Sequence, residues 1–299
     1  MNELFLKIAG IVTRLSSRFP LSEETSSVSG GTERLADFIT TARSPDIEIR
    51  VIPVRALPSP PRSKPLFNVL HPGDNNPNWR LFRRGAGYVY QCPLKGKRQI
   101  YFINRGFNRV SAYLKAAPGC NGWLAQDIVY DFLQVLMVHY MAERGSGIII
   151  HAAGVRDGAR GFVFPGESGA GKSTISRLWH AAGALAINDD RVIIRRARAG
   201  FEMHSSPWHG DFFDYTAQYT RPVKISSLFF IRHGRTEYAV PLSAPETFMR
   251  LYPALFPVFW DRRLQENQLG FMQKLSGAVR AFALHFAPRR KALDFIRGL

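Results

Sequence analysis

The sequence predicts an α/β fold for the second half of the chain, preceded by a smaller α+β domain. Three observations carry this. An apolar strand at residues 162–164 runs directly into a glycine-rich loop at 166–173, and a helical pattern follows it. Short apolar strands recur around that unit, at 148–150, 161–165, 184–187, 192–196 and 228–231. Before residue 145 the pattern is different, with polar and proline-rich connectors between alternating segments. The predicted division is therefore 1–144, an α+β domain with flexible loops, and 145–299, a second domain ending in a helical segment.

The elements follow in order. Leu4, Ile8, Ile11, Val12 and Leu15 fall at helical spacing, which predicts a short amphipathic helix packed on the body. Lys7 and Arg14 interrupt the apolar run and no small-residue cleavage site is present, so the segment does not read as a signal peptide. Residues 22–32 are rich in Ser, Glu, Thr and Gly and predict a flexible loop. Residues 47–54 alternate as a strand. Residues 58–65 contain four prolines and predict an exposed connector, and 71–78 a turn-rich loop. Residues 88–92 and 99–104 predict strands joined by a turn at 93–97. From Asp127 to Glu143, residues Ile128, Phe132, Val135, Leu136 and Tyr140 share a helical face, which Gly145 and Gly147 end. A second helix runs from the loop to about Ala182, and the stretch from Ala244 onward mixes helical patterns with aromatic residues.

Composition narrows the function. The 299 residues carry a net charge of +17, with a pI near 10.4. Such a surface attracts polyanions. The basic residues are spread along the chain, and no zinc-finger spacing, RNA-binding signature or basic-leucine array is present. A general solubility surface, or attraction to an acidic substrate, is favoured over dedicated nucleic-acid binding. Cys92 and Cys120 are the two cysteines, too few for a disulfide framework or a thiolate metal site, and they fit a cytoplasmic protein with reduced thiols. No run approaches the ~20 apolar residues of a membrane span.

The loop carries the chemistry. Residues 166–173 read Gly-Glu-Ser-Gly-Ala-Gly-Lys-Ser, a full match to G-x-x-x-x-G-K-[ST] in the strand–loop–helix context the motif requires. Gly166, Gly169 and Gly171 permit backbone conformations that aim several N–H groups at one anion. The following helix adds its positive end. Lys172 offsets charge on the β- and γ-phosphates, and Ser173 offers a hydroxyl to Mg²⁺. Glu167, Ser168, Ala170 and Thr174 complete the nucleotide cradle. The expected ligand is ATP with Mg²⁺.

Asp189 and Asp190 follow the strand at 184–187, where carboxylates lie beside a phosphate loop. One can hold the metal and the other can accept a hydroxyl proton. His151 ends another apolar strand and can touch the γ-phosphate or orient an aspartate.

Taken together, His151-Ala152, the 166–173 loop and Asn188-Asp189-Asp190-Arg191-Val192 resemble the catalytic domain of the HPr kinase/phosphorylase family. His151 precedes Lys172 by 21 residues and Asp190 follows it by 18. The likeness covers about 148–196 and is weaker to about 233. It implies a phosphoenolpyruvate-carboxykinase-like P-loop nucleotide fold and a homo-oligomer. It assigns Asp190 as base toward the acceptor hydroxyl, His151 and Lys172 to the transferred phosphoryl group, and Ser173 to Mg²⁺. The sequence departs from the family at Ala152, where the family has glycine. The family's later glutamate-bearing metal segment is replaced by 204–211, His-Ser-Ser-Pro-Trp-His-Gly-Asp, in which Asp211 can stand in as metal carboxylate. That segment suits either an active-site lid or an ordinary Ser-Pro loop around a packed tryptophan. Diverged relatives of this kind resemble serine kinases acting on peptide precursors, so a peptide, protein or small-molecule hydroxyl is the expected acceptor. The competing readings are a kinase of the adenylylsulfate or gluconate type, a motor ATPase, and a non-catalytic nucleotide-binding regulator. The signature Leu-Ser-Gly-Gly-Gln of transporter ATPases is missing.

Overall fold

The computed structural model describes residues 1–22, 35–70, 77–92, 99–115, 123–124, 128–167, 169–210 and 219–299. The loops expected at 22–32, 71–78 and 93–97 fall outside the described residues except for Ser22, Pro77 and Asn78, which are in strands; Asp127, Cys120, Ser168 and Asp211 also lie outside them. The chain divides into two compact units, Met1–Tyr140 and Met141–Leu299.

The first unit is built on an eight-stranded sheet. Its strands are β1 (Asn2–Ile8), β2 (Ile11–Ser17), β4 (Ile47–Val54), β5 (Phe67–Leu70), β6 (Pro77–Arg84), β7 (Gly87–Cys92), β8 (Gln99–Ile103) and β9 (Arg109–Lys115), in the order β1-β2-β4-β9-β8-β7-β6-β5. Short strands β3 (Leu21–Ser22) and β10 (Trp123–Leu124) pair with each other in parallel. A π-helical turn at Val129–Leu133 leads into α1 (Gln134–Arg144). Phe132 from that turn stacks on Tyr101 of β8 at 3.8 Å between centroids. The buried residues of β4 and β9 alternate strictly, with Ile47, Ile49 and Val51 inside and Glu48 and Arg50 outside.

The helix expected over residues 4–15 is instead the hairpin β1–β2. Ala9 and Gly10 adopt φ of 50° and 77°, the left-handed pair of a two-residue hairpin turn, and Ile8 faces Ile11 across it. Consecutive residues Leu4, Phe5 and Leu6 are all buried, so both faces of β1 are covered. Two-sided burial removes the alternation that marks a strand and leaves an apolar run in which helical spacing arises by coincidence.

The second unit contains β11 (Gly147–Asp157), β12 (Arg160–Pro165), α2 (Lys172–Ala181), β13 (Leu185–Asn188), β14 (Arg191–Ala197), β15 (Gly200–His204), β16 (Val223–His233), β17 (Tyr238–Pro241), α3 (Ala244–Leu251), α4 (Arg262–Ala278), β18 (Arg280–Phe286) and α5 (Arg290–Arg297). Its sheet runs β12-β11-β14-β15-β16-β18-β17, with β13 against β11, and β12 also pairs with β16. That last pairing closes β12, β11, β14, β15 and β16 into a ring. Gly161 sits at the closure. A Cβ there would lie 2.4 Å from the Lys224 carbonyl oxygen and 2.9 Å from Val223 Cγ1. Gly161→Val is therefore expected to destabilise the fold by about 3 kcal/mol, because the obstructing atom is backbone. Denaturant midpoints would show it.

Both faces of the central strands are buried. Ile148, Ile150, Val163, Leu228 and Phe230 point into a core completed by Met272 and Leu275 of α4. Their alternates Ala153, Phe162, Phe164 and Phe229 pack under α2 and α5, through Ile175, Trp179, Leu293 and Ile296.

These facts correct the expected fold class. The chain is mostly β, with two large mixed sheets, and is not an α/β phosphoenolpyruvate-carboxykinase-like P-loop fold. Nor is the N-terminal domain α+β in the sense expected, since an eight-stranded sheet dominates it. The strand–loop–helix unit around 162–181 is real, and β12 pairs in parallel with β16, but the other apolar strands beside it form antiparallel ladders: β11 with β12, β13 and β14, and β14 with β15. An apolar run buried on both faces reads the same in either direction, so composition could not tell these ladders from parallel strands with helical crossovers.

Candidate functional site

The site forms where β11 changes partners. Residues Gly147 to His151 pair with β14, and Ala152 to Asp157 pair with β12. The register at this switch sets His151 opposite Arg191 and Ala152 opposite Pro165. Two backbone bonds fix the junction: Ala152 N donates to the Asp190 carbonyl at 3.0 Å, and Gly166 N donates to the His151 carbonyl at 3.1 Å. Strand pairing alone thus brings the histidine, the acidic turn and the start of the glycine loop to one point.

The loop then turns into α2. Gly169 and Gly171 take φ of 81° and 93°, which a residue with a Cβ adopts at a cost. Gly171 is the N-cap of α2 and supplies no side-chain cap, so the first-turn amides keep their donors for an anion. Lys172 is 6% exposed, and its Nζ donates to the Glu167 carbonyl at 2.7 Å, bridging the loop. Burial lowers its pKa, with Asp189 acting in the opposite direction.

The acidic turn is held from below. Asn188 Oδ1 accepts from Asp190 N and Arg191 N, both at 2.8 Å. Its Nδ2 donates to the carbonyls of Ser206 and Trp208, both at 3.1 Å. Ser206 Oγ donates to the Arg191 carbonyl at 2.7 Å. Asp189 is 2% exposed, and its Oδ1 accepts from Gly210 N at 2.8 Å. A Cβ on Gly210 would sit 3.0 Å from Asp189 Oδ2, so a side chain there would press directly on the carboxylate. His204, Ser205, Ser206 and Trp208 are buried. Of the two uses considered for segment 204–211, its described part serves as a packed support for the aspartates.

Asp190 is gripped on both oxygens. Oδ1 lies 2.9 Å from His151 Nε2, and Oδ2 pairs with Arg191 Nη1. The Arg191 guanidinium also lies over the Phe256 ring at 5.2 Å. His151 is pushed down to about 4, by burial first and then by Lys172 and Arg191. It is neutral at pH 7 and donates Nε2–H to Asp190 as a hydrogen bond between a neutral ring and a carboxylate.

A cavity of about 340 Å³ collects these groups. His151, Gly169, Gly171, Lys172, Ser173, Thr174, Asp189, Asp190 and Gly210 line it. Gly166, Glu167 and Ala170 belong to the same loop without lining the cavity. Asn188, Ser206, Arg191 and Gly210 are contributors to which the sequence reading gave no role. An asparagine directly after a strand and before two acidic residues is the turn signal that could have found Asn188. Among the described residues no group of three or more His, Cys, Asp and Glu side chains forms a metal cage. A hydroxyl at Ser173 and a carboxylate at Asp189 are hard oxygen donors of the kind Mg²⁺ takes alongside phosphate oxygens, so the residues fit an ion carried in by a nucleotide. No helix among the described residues is long and apolar enough to cross a membrane, and Cys92 is a buried free thiol.

The two depressed histidines have a pH consequence. His204, beside Glu202 at 3.1 Å, is also pushed down to about 4, by burial and then Arg195. Both take up a proton in the unfolded chain near pH 6.5 but resist it in the folded one until about pH 4. Stability is expected to be fully present above pH 6.5 and to fall as pH drops from 6.5 to 4. Thermal melts across that window check this, and His204→Asn should flatten the slope.

No curated protein matches this chain. A family model described as SynChlorMet cassette protein ScmC matches residues 125–282, more than half of the 299-residue chain, and the chain belongs to that family.

Proposed function

We propose that the chain is a kinase that takes MgATP and transfers its γ-phosphoryl group to a hydroxyl of a peptide, a protein or a small molecule. One observation carries the reading: the glycine loop with its buried lysine lies across one small cavity from the Asp190–His151 pair. The 166–173 motif and the HPr kinase/phosphorylase resemblance support it through their residues and spacing, not through the fold class. The family's description as a cassette protein suits an acceptor encoded beside it.

In this reading the loop amides and the α2 terminus take the triphosphate, Lys172 offsets charge on the transferred group, and Ser173 and Asp189 face the Mg²⁺ of the nucleotide. Asp190 takes the acceptor's hydroxyl proton while the oxygen bonds to the γ-phosphorus. The bond from that phosphorus to the β–γ bridging oxygen breaks, and ADP leaves. Neutral His151 and Arg191 hold the Asp190 carboxylate toward the acceptor. Incubation with γ-labelled ATP and the proteins or peptides encoded beside the gene tests the reading. Label on a hydroxyl acceptor supports it. Acceptor-independent phosphate release indicates a motor ATPase, and nucleotide binding without turnover indicates a regulator.

A further inference from the structure

The first unit carries a second cavity, of about 780 Å³, on the polar face of its sheet. Register shows how the face is made. Arg14 of β2 pairs with Glu48 of β4, which pairs with Arg109 of β9. In the next row, Ser16, Arg50 and Ser111 align in the same way. Residues in register, and residues two apart along a strand, project to one side. Arg14, Arg50 and Arg109 therefore stand on one face, opposite the buried Ile47, Ile49 and Val110. Arg84 and Arg105 add two guanidinium groups, so five arginines and one glutamate line the cavity.

Glu48 is occupied by Arg14 at 2.9 Å. The guanidinium groups of Arg50, Arg105 and Arg109 have no acidic partner among the described residues, and all three are exposed. Clustering like charges without counter-charges costs folding stability, and an anionic ligand repays it. Arginine forks match carboxylates two bonds at a time. Neighbouring strands are about 4.8 Å apart, so Arg14 and Arg109 are rooted about 10 Å apart across the sheet. Alternate residues of an extended peptide repeat every ~6.8 Å, so two or three acidic side chains on one side of such a peptide can meet separate arginines.

We propose that this face binds an acidic peptide segment in extended form, through carboxylates on alternate residues. A single-stranded nucleic acid fits less well, because it needs aromatic faces on which bases stack. The two aromatic rings lining the cavity are already engaged. Tyr88 is buried and stacks on Phe107 at 5.0 Å, with Arg83 over its ring. Phe102 meets Tyr113 edge-on at 5.2 Å, with Arg84 over it at 4.3 Å.

The test is fluorescence anisotropy of the full chain with a labelled twelve-residue peptide of alternating Glu and Ser, run without nucleotide, so failure of the kinase reading leaves it untouched. The double variant Arg50→Glu/Arg109→Glu is expected to weaken binding at least tenfold. Arg198→Glu/Arg221→Glu, exposed positions in the second unit with the same change in net charge, is expected to leave it within twofold. Circular dichroism confirms that both variants fold; should the first not fold, Arg105→Ala, in a turn, is read instead and is expected to weaken binding about threefold. Equal losses in both double variants, no binding by the parent chain, or tighter binding of oligo-dT than of the peptide would overturn the proposal.

Discussion

Asp190→Asn is expected to reduce phosphoryl transfer by about 10³-fold or more while leaving nucleotide affinity within a few-fold. The substitution keeps the shape of the side chain. An amide oxygen can still accept from Arg191, and the neutral His151 ring can change tautomer to accept from the amide NH₂ at the 2.9 Å contact. The Asn188 bonds that fix this turn run to the backbone N–H groups of residues 190 and 191 and are unaffected. What is lost is a group able to take a proton from the acceptor. Single-turnover transfer and equilibrium titration with a fluorescent nucleotide separate the two effects. Near-normal transfer would remove Asp190 as the base.

Lys172→Ala is expected to cost about 10³-fold in transfer and to weaken nucleotide binding as well. The residue is buried at the cavity wall, where a charge opposite a phosphoryl group counts for more than in water. The loss has a second part. The Glu167 carbonyl, now 2.7 Å from Nζ, would need a new donor, so the loop itself would loosen. Lys172→Arg separates these contributions, because it keeps the charge and alters the reach. Full turnover in the alanine variant would exclude the lysine from the chemistry.

What could be read from the sequence depended on how local its cause is. The loop at 166–173 is legible because its glycines, lysine and serine act through positions fixed within eight residues. His151 and the Asp189–Asp190 pair were singled out from strand ends, and β11 joins them through a register that no single segment reveals. Asn188 has a local half, its turn bonds to residues 190 and 191, but its bond to Trp208 and that of Gly210 to Asp189 span about twenty residues and leave no local pattern. The fold class is hidden for a similar reason. The run 148–150 is apolar because both of its faces are buried, and an apolar run does not say whether its neighbours are parallel or antiparallel. In the first unit, β4 was legible from strict alternation, whereas β1 lost that signal where Leu4, Phe5 and Leu6 are covered in succession.

The pairing of β12 with β16 also bears on how much free strand edge this β-rich unit offers. A strand whose amides and carbonyls are all engaged offers no template to a passing chain. Once the ring is closed, the outermost strands of the second unit among its described residues are β13 and β17, each four residues long. The second of these ends on Pro241, whose nitrogen carries no hydrogen to donate. Among the described residues, a growing fibril would find in this half of the molecule two brief footholds at the sheet ends, one of them stopped by an imino acid.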